Sequence, residues 1–385
     1  MQKLFDLVQA RKLMEKYGID VLVASSTDNF GYLTDYWTHY GKYFDIGWIG
    51  DPCLQMAVLP FEKNIEPFMY LVGQESDVEY VDPWIKDRRF YRDPGYGAKD
   101  EGDFFEVFSK IMKEKGLDKS RIGLELGYEG YTIEIASHKM IETLRRCLPN
   151  TSFVDASNLF RELRLIKTDE EMARIIKASE IIDRCLKATF EEVRGNMTES
   201  ELEWILRRNL IEDRIDVILL NINFGEDDIL RPTDKRLQEG DFIRIDLALK
   251  YKQYYGDVAR SVVFKKPSTK IKHMFDSIHK AHDKVVESIK LGSSCSEIFN
   301  IAKKSLKESG YTYQPPIIGH GTGISVHEAP YLGENNMTIQ PGMAFTVEIL
   351  LKPGKGSWIG TEDMIICDKK GCRDITTFTK DLIVL

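Results

Sequence analysis

The chain has 385 residues, 43% of them hydrophobic, which is enough apolar material to bury the cores of two domains. Its 61 acidic against 53 basic side chains give a net charge of -8, which argues against a broad nucleic-acid-binding surface. No apolar run approaches the roughly 20 residues that a bilayer crossing requires, and the N-terminus lacks a long apolar core, so neither membrane insertion nor a signal peptide is expected.

In chain order, leucines spaced among charges predict an amphipathic helix over 5–16. Short apolar runs bounded by Gly, Pro and Asp then predict strands at VLVASS (21–26), MAVLP (56–60) and PFMYLVG (67–73). A helix over 104–115, a strand at IGLEL (122–126) and a helix over 133–148 follow, an alternation that marks an α/β domain over residues 1–158. Residues 157–192 read as one long helical stretch in which Thr168 and Asp169 precede Glu170 and Glu171, as at a helix start. Over 159–385, helices at 168–194, 198–212, 270–290 and 295–309 alternate with strands at 217–223, 241–249, 254–264, 343–352 and 359–368. That pattern predicts α+β architecture, a helix-flanked antiparallel sheet. The six cysteines (Cys53, Cys147, Cys185, Cys295, Cys367, Cys372) form no CxxC pair and are expected as free thiols in a reducing cytosol.

The segment FIRIDLALKYKQYYGDVARSVVF (242–264) reads as a hairpin with Arg244, Asp246 and Ala248 on the less apolar face of its first strand. A turn centred on Tyr251 and Lys252 would set Asp246 directly opposite Asp257. Facing carboxylates repel unless a cation neutralises them; with the turn centred elsewhere, both simply face water. A second hairpin, AFTVEILL and SWIGTEDMIICD around KPGKG, places Glu348 and Glu362 equidistant from Lys355 and so opposite each other. An acid within so apolar a strand is costly unless it is paired, metal-bound or at a solvated edge. Between the hairpins, IIGHGTGISVHEAP sets His320 among Gly319, Gly321 and Gly323, which leave room for close backbone approach. His327, seven residues on, is out of phase with the strand face of His320. One nitrogen and several carboxylate oxygens suit Mn, Co, Fe or Zn. Two such ions would polarise a carbonyl and activate water, which is hydrolase chemistry.

These segments together resemble the pita-bread metallopeptidases: methionine aminopeptidase, Xaa-Pro aminopeptidase, Xaa-Pro dipeptidase (prolidase) and their metal-free relative creatinase. IDLALKYKQYYGDVARS is similar to the family's IDxG…Y…SDxTRT block, GHGTGISVHEAP to GHGxGxxVHE, TVEILLKPG to TxEPG, and GTEDMI to RxED, all in family order. The resemblance implies a creatinase-like N-terminal domain that restricts access and forms subunit contacts, followed by a pita-bread catalytic domain. It implies a cytoplasmic homodimer that acts on a small peptide or amide with two divalent ions, Mn or Co first and Zn or Fe as alternatives. The implied ligands are Asp246, Asp257, His320, Glu348 and Glu362. Glu348 would also move protons, and His327 would contact substrate or the tetrahedral intermediate. The chain departs from the family at Ile229 and Pro316, where proline-specific members have His, and at Gly360, where they have Arg. Ile349 and Ala259 replace a Pro and a Thr. Low activity on Xaa-Pro dipeptides is therefore expected. The other readings are a hydrolase or lyase of a non-peptide small molecule, and a pseudoenzyme that binds metal, peptide or nucleic acid.

Overall fold

The computed structural model describes residues 3–38, 55–92, 102–127, 136–215, 218–225, 231–354 and 356–385. The backbone divides into two units, Met1–Arg164 and Leu165–Leu385. The division falls at the C-terminal end of the helix Ser157–Leu165, a few residues beyond the boundary read from the sequence.

In the first unit, strands β1 (Val21–Ala24), β2 (Gln55–Pro60), β3 (Phe68–Val72), β4 (Asp87–Tyr91), β5 (Arg121–Leu124) and β6 (Ser152–Asp155) form a mixed sheet in the order β4-β3-β2-β1-β5-β6. Its longer helices are α1 (Leu7–Tyr17), α2 (Thr27–Thr34), α3 (Phe104–Glu114), α4 (His138–Cys147) and α5 (Ser157–Leu165), with one short turn of helix at Val78–Val81. Val21, Val23, Met56, Val58, Phe68 and Tyr70 pack against Phe104, Phe105 and Phe108 of α3 and Met140 and Leu144 of α4. Strand alternation thus feeds one core. The helix read over 133–148 begins at His138 among the described residues, capped by Ser137, whose Oγ accepts from Met140 N; residues 133–135 lie outside them. Helix α2 and strands β4 and β6 carry no clear periodicity in sequence and appear only here.

The helix start expected at Thr168 is present and divides the helical stretch over 157–192 in two, with Thr168 closing a capping box at the start of α6 (Asp169–Glu191). Thr168 Oγ1 accepts from Glu171 N, and Glu171 Oε2 accepts from Thr168 N at 2.7 Å. Helices α7 (Glu199–Leu210), α8 (Thr269–Ser288) and α9 (Cys295–Glu308) follow. The strands of this unit are β7 (Ile218–Phe224), β8 (Phe242–Tyr251), β9 (Tyr254–Val263), β10 (Ile317–Gly321), β11 (Glu328–Gly333), β12 (Ala344–Leu351), β13 (Ile359–Asp368) and β14 (Gly371–Asp374). They form one sheet in the order β11-β10-β12-β13-β9-β8-β7, with β14 beside β13 and antiparallel pairing throughout. Val347, Ile349 and Leu351 of β12 and Ile365 and Cys367 of β13 join a buried cluster with α8 and α9, which turns Glu348 toward the opposite face.

One cysteine expectation is overturned. Antiparallel pairing of β13 with β14 sets Cys367 opposite Cys372 with a Cα separation of 4.0 Å, and the two are bonded as a disulfide. Cys147, Cys185 and Cys295 are free thiols; Cys53 lies outside the described residues.

Candidate metal centre

The first hairpin differs from the expected register. Lys252 and Gln253 both have positive φ, 45° and 70°, a two-residue turn whose twist matches the flanking strands better than one shifted by a residue. Tyr251 therefore pairs with Tyr254, Asp246 faces Ala259, and Asp257 faces Ala248. The two carboxylates share a face but stand diagonally, about 7 Å apart at the Cβ level, rather than directly opposed. The second hairpin pairs Glu348 with Glu362 as expected, although Lys355 at its turn lies outside the described residues. Across the central pair of strands Ala259 also faces Glu362. Asp246, Ala259, Glu362 and Glu348 thus form one row across β8, β9, β13 and β12. Asp257 lies on the same face two residues before Ala259, whose methyl leaves the middle of the row open.

His320 comes to this row from β10. The alternating glycines permit the approach: a Cβ at Gly319 would lie 1.9 Å from Thr346 O, and one at Gly321 would lie 2.0 Å from Ala329 O. His320 Nε2 stands 3.7 Å from both Asp257 Oδ2 and Glu362 Oε1, and one ligand atom from each of the three lies within 4.8 Å of the others. His327 lies in the bend between β10 and β11, not on a strand. The connection folds back so that its ring centroid is 4.0 Å from that of His320. All six residues singled out from the sequence wall one cavity of about 140 Å³, together with Leu219, Asn221, Ala248 and Val326.

Sequence reading placed Arg244 on the face of Asp246 but gave it no partner. Its Nη2 donates to Asp246 Oδ2 at 2.9 Å and to Glu348 Oε1 at 3.2 Å, joining two of the five carboxylate and imidazole groups through a buried guanidinium. Asn221 of β7, also unanticipated, donates to Asp246 Oδ2 at 3.3 Å. Behind the row, Arg260 donates to the carbonyls of Ala259 and Glu362 and to Asp363 Oδ1, tying β9 to β13 where two of the acids stand.

The electrostatics are those of a site built for cations. Burial, then the charges of Asp246 and Glu348, push the Asp257 carboxyl well above its usual range. Glu362 is raised by burial and by Asp257. Burial raises Glu348 to about 7 against the pull of Arg244. His320 is driven down to about 3 by burial and by His327, so it is a neutral nitrogen donor at neutral pH. Glu362 Oε1 is buried and accepts no hydrogen bond among the described residues. Clustered carboxylates, an orphaned oxygen and a neutral imidazole fit a divalent ion, which would repay the desolvation that the protein alone leaves uncompensated.

The departures are also placed. Gly360 has no room for a side chain, since a Cβ there would meet Ile349 O at 2.3 Å, and its N–H donates to Ser261 Oγ. Pro316 is exposed ahead of β10 and does not line the cavity, and Ile349 is fully buried in the helix-side core. Ile229 lies outside the described residues.

The chain matches the sequence profile of metallopeptidase family M24 over residues 173–369 and that of the creatinase/prolidase N-terminal domain over residues 7–166. It is 31% identical over 284 residues to a Xaa-Pro dipeptidase of Pyrococcus horikoshii, covering 71% of this chain and 80% of that one. To a Xaa-Pro dipeptidase of Lactobacillus delbrueckii it is 24% identical over 99% of both chains. Among solved structures, the prolidase from Pyrococcus horikoshii OT3 superposes with a TM-score of 0.79 at 23% identity, covering 98% of this chain and 99% of that one, a likeness of fold.

Proposed function

This chain belongs to metallopeptidase family M24, and we propose that it hydrolyses a small peptide or amide at a centre held by Asp246, Asp257, His320, Glu348 and Glu362. The observation that carries the proposal is the convergence of Asp257, His320 and Glu362, from three different strands, on one buried point beside the other two acids. Divalent ions bound there, two of them at full loading and Mn or Co first, would polarise the scissile carbonyl and lower the pKa of water.

The chain's own groups do the rest. Glu348, with Oε1 engaged by Arg244, accepts the proton of the attacking water at Oε2. His327, beside His320 at the cavity wall, contacts the substrate as the tetrahedral centre forms. Leu219, half exposed, and Val326 add apolar surface to the cavity wall.

Xaa-Pro dipeptides are the substrate named for the relatives, yet Gly360, Pro316 and Ile229 stand where proline-specific members of the family have basic groups. A missing donor of this kind costs about 3–4 kcal/mol in the transition state. A panel of Xaa-Pro dipeptides, other dipeptides and small amides, assayed with Mn or Co, should therefore give kcat/KM on Xaa-Pro below about 10⁴ M⁻¹s⁻¹ and a better substrate elsewhere. Efficient Xaa-Pro turnover would refute that specificity, and no turnover of any peptide with turnover of a simple amide would favour the non-peptide reading.

We also assign a homodimer, tested by light scattering, where a monomer mass at micromolar concentration would refute it. No helix among the described residues is long and apolar enough to cross a membrane. We place the protein in the cytoplasm, tested by cell fractionation, where recovery outside the cytoplasmic fraction would refute that location.

A further inference from the structure

The five-residue centre holds a cation of its own. Arg244 is 5% exposed, and the hydrogen bonds that hold its guanidinium run to Asp246 Oδ2 and Glu348 Oε1, while its Nε is buried without an acceptor. The opposite side of the centre is arranged differently. Among the described residues, Asp257, His320 and Glu362 converge with no side-chain cation between them, and Glu362 Oε1 is left without a hydrogen bond. The two halves of the row are therefore unequal: one is already paired and the other is open.

Asp246, Asp257, Glu348 and Glu362 bring four negative charges to the row, and His320 adds none when neutral. With Arg244 in place, one divalent ion leaves the row one charge negative and two leave it one charge positive. A second ion therefore meets a guanidinium already seated on Asp246 Oδ2 and Glu348 Oε1, whose charge it would leave buried and uncompensated.

Resting on the metal-centre reading above, we propose that Arg244 stands in for one of two cations. The chain holds a single divalent ion firmly at Asp257, His320 and Glu362, and admits a second only by displacing Arg244 from Asp246 and Glu348. Arg244 is in this sense an occupancy-determining residue. The second ion competes with a formed, buried ion pair, so its affinity falls below that of the first by about 100-fold or more.

The test is metal binding rather than turnover. Metal-free protein is titrated with Mn(II), free ion is followed by electron paramagnetic resonance, and retained metal is counted after dialysis into metal-free buffer. The wild-type chain should keep one ion per chain and bind a second only in a separate, much weaker step. Arg244→Met should keep two, and Arg244→Lys, which retains a cation, should keep one. Two ions of similar affinity in the wild type, or equal counts in the wild type and Arg244→Met, would overturn the role of Arg244 while leaving the metal centre intact. Failure of every protein to bind Mn(II) would overturn both. Should Arg244→Met not fold, Arg244→Gln, which removes the charge and keeps a donor, is counted in its place, and a count equal to that of the wild type overturns the role of Arg244.

Discussion

Replacing Arg260 with Leu would remove the group that locks the two central strands together behind the metal centre. Arg260 is 3% exposed and donates six hydrogen bonds: to Ala259 O, Thr361 Oγ1 and Glu362 O from Nη1, to Asp363 Oδ1 and Phe378 O from Nη2, and to Thr379 O from Nε. Asp363 is fully buried, with His282 Nε2 at 3.1 Å and the Lys380 ammonium Nζ at 3.3 Å as its other neighbours. Without Arg260 the carboxylate keeps partners on Oδ2 alone, and four backbone carbonyls lose a charged donor. Breaking a buried pair from one side costs about 3–5 kcal/mol, so Arg260→Leu should lower the unfolding free energy of the metal-free protein by that amount. The metal-free form is used because bound ions would add their own stabilisation to both proteins. Urea unfolding followed by circular dichroism and tryptophan fluorescence measures the loss, and the double variant Arg260→Leu with Asp363→Leu should recover about 2 kcal/mol of it by removing the stranded charge. A single variant within about 1 kcal/mol of the wild type would refute the assignment of the lock to Arg260.

The same network sets an acid limit. Burial alone would raise the Asp363 carboxyl, but the charge of Arg260 and the close approach of His282 outweigh it and hold the group below its usual range. Its contribution is therefore present above the ordinary aspartate pKa of about 3.9 and lost as pH falls below it; in acid unfolding, Asp363→Asn should lose less stability than the wild type over that window. At the centre itself, Asp257→Ala should strip the metal and the activity together, whereas His327→Ala should lower turnover with metal content unchanged; equal metal loss in both would show that His327 is a ligand. Protons compete for carboxylates already raised by burial and mutual repulsion. Metal should thus leave on acidification above the usual carboxylate range, measured by metal content after equilibrium dialysis, and retention to below pH about 4 would contradict this. Gly321→Ala forces a Cβ against Ala329 O and should destabilise the chain by about 1–3 kcal/mol and weaken metal binding with it; a neutral effect would mean that β10 and β11 can separate freely.

Much of this was legible in local pattern. Alternation along β8, β9, β12 and β13 identified the strands and the acids that leave the apolar face, and the glycines around His320 marked a close approach that the backbone then makes. Pattern with period two says which residues share a face but not the register between strands, since sliding a turn by one residue changes every partner. Hence Glu348 was correctly opposed to Glu362, while Asp246 and Asp257 were read as opposed when the positive φ of Lys252 and Gln253 sets them diagonally. Short elements such as β10, β11 and β14 had too few residues to show a period. The disulfide escaped because it depends on β13 meeting β14. What the chain order could not contain is the meeting of distant groups: Arg244 with Glu348, His320 with Asp257 and Glu362, and Arg260 with Asp363. Residue type and periodicity marked the candidate donors and the strand faces they occupy, because these are properties of single strands. Only the tertiary structure decided which of them converge and which are already paired, because charge interactions depend on separation in space and not along the chain.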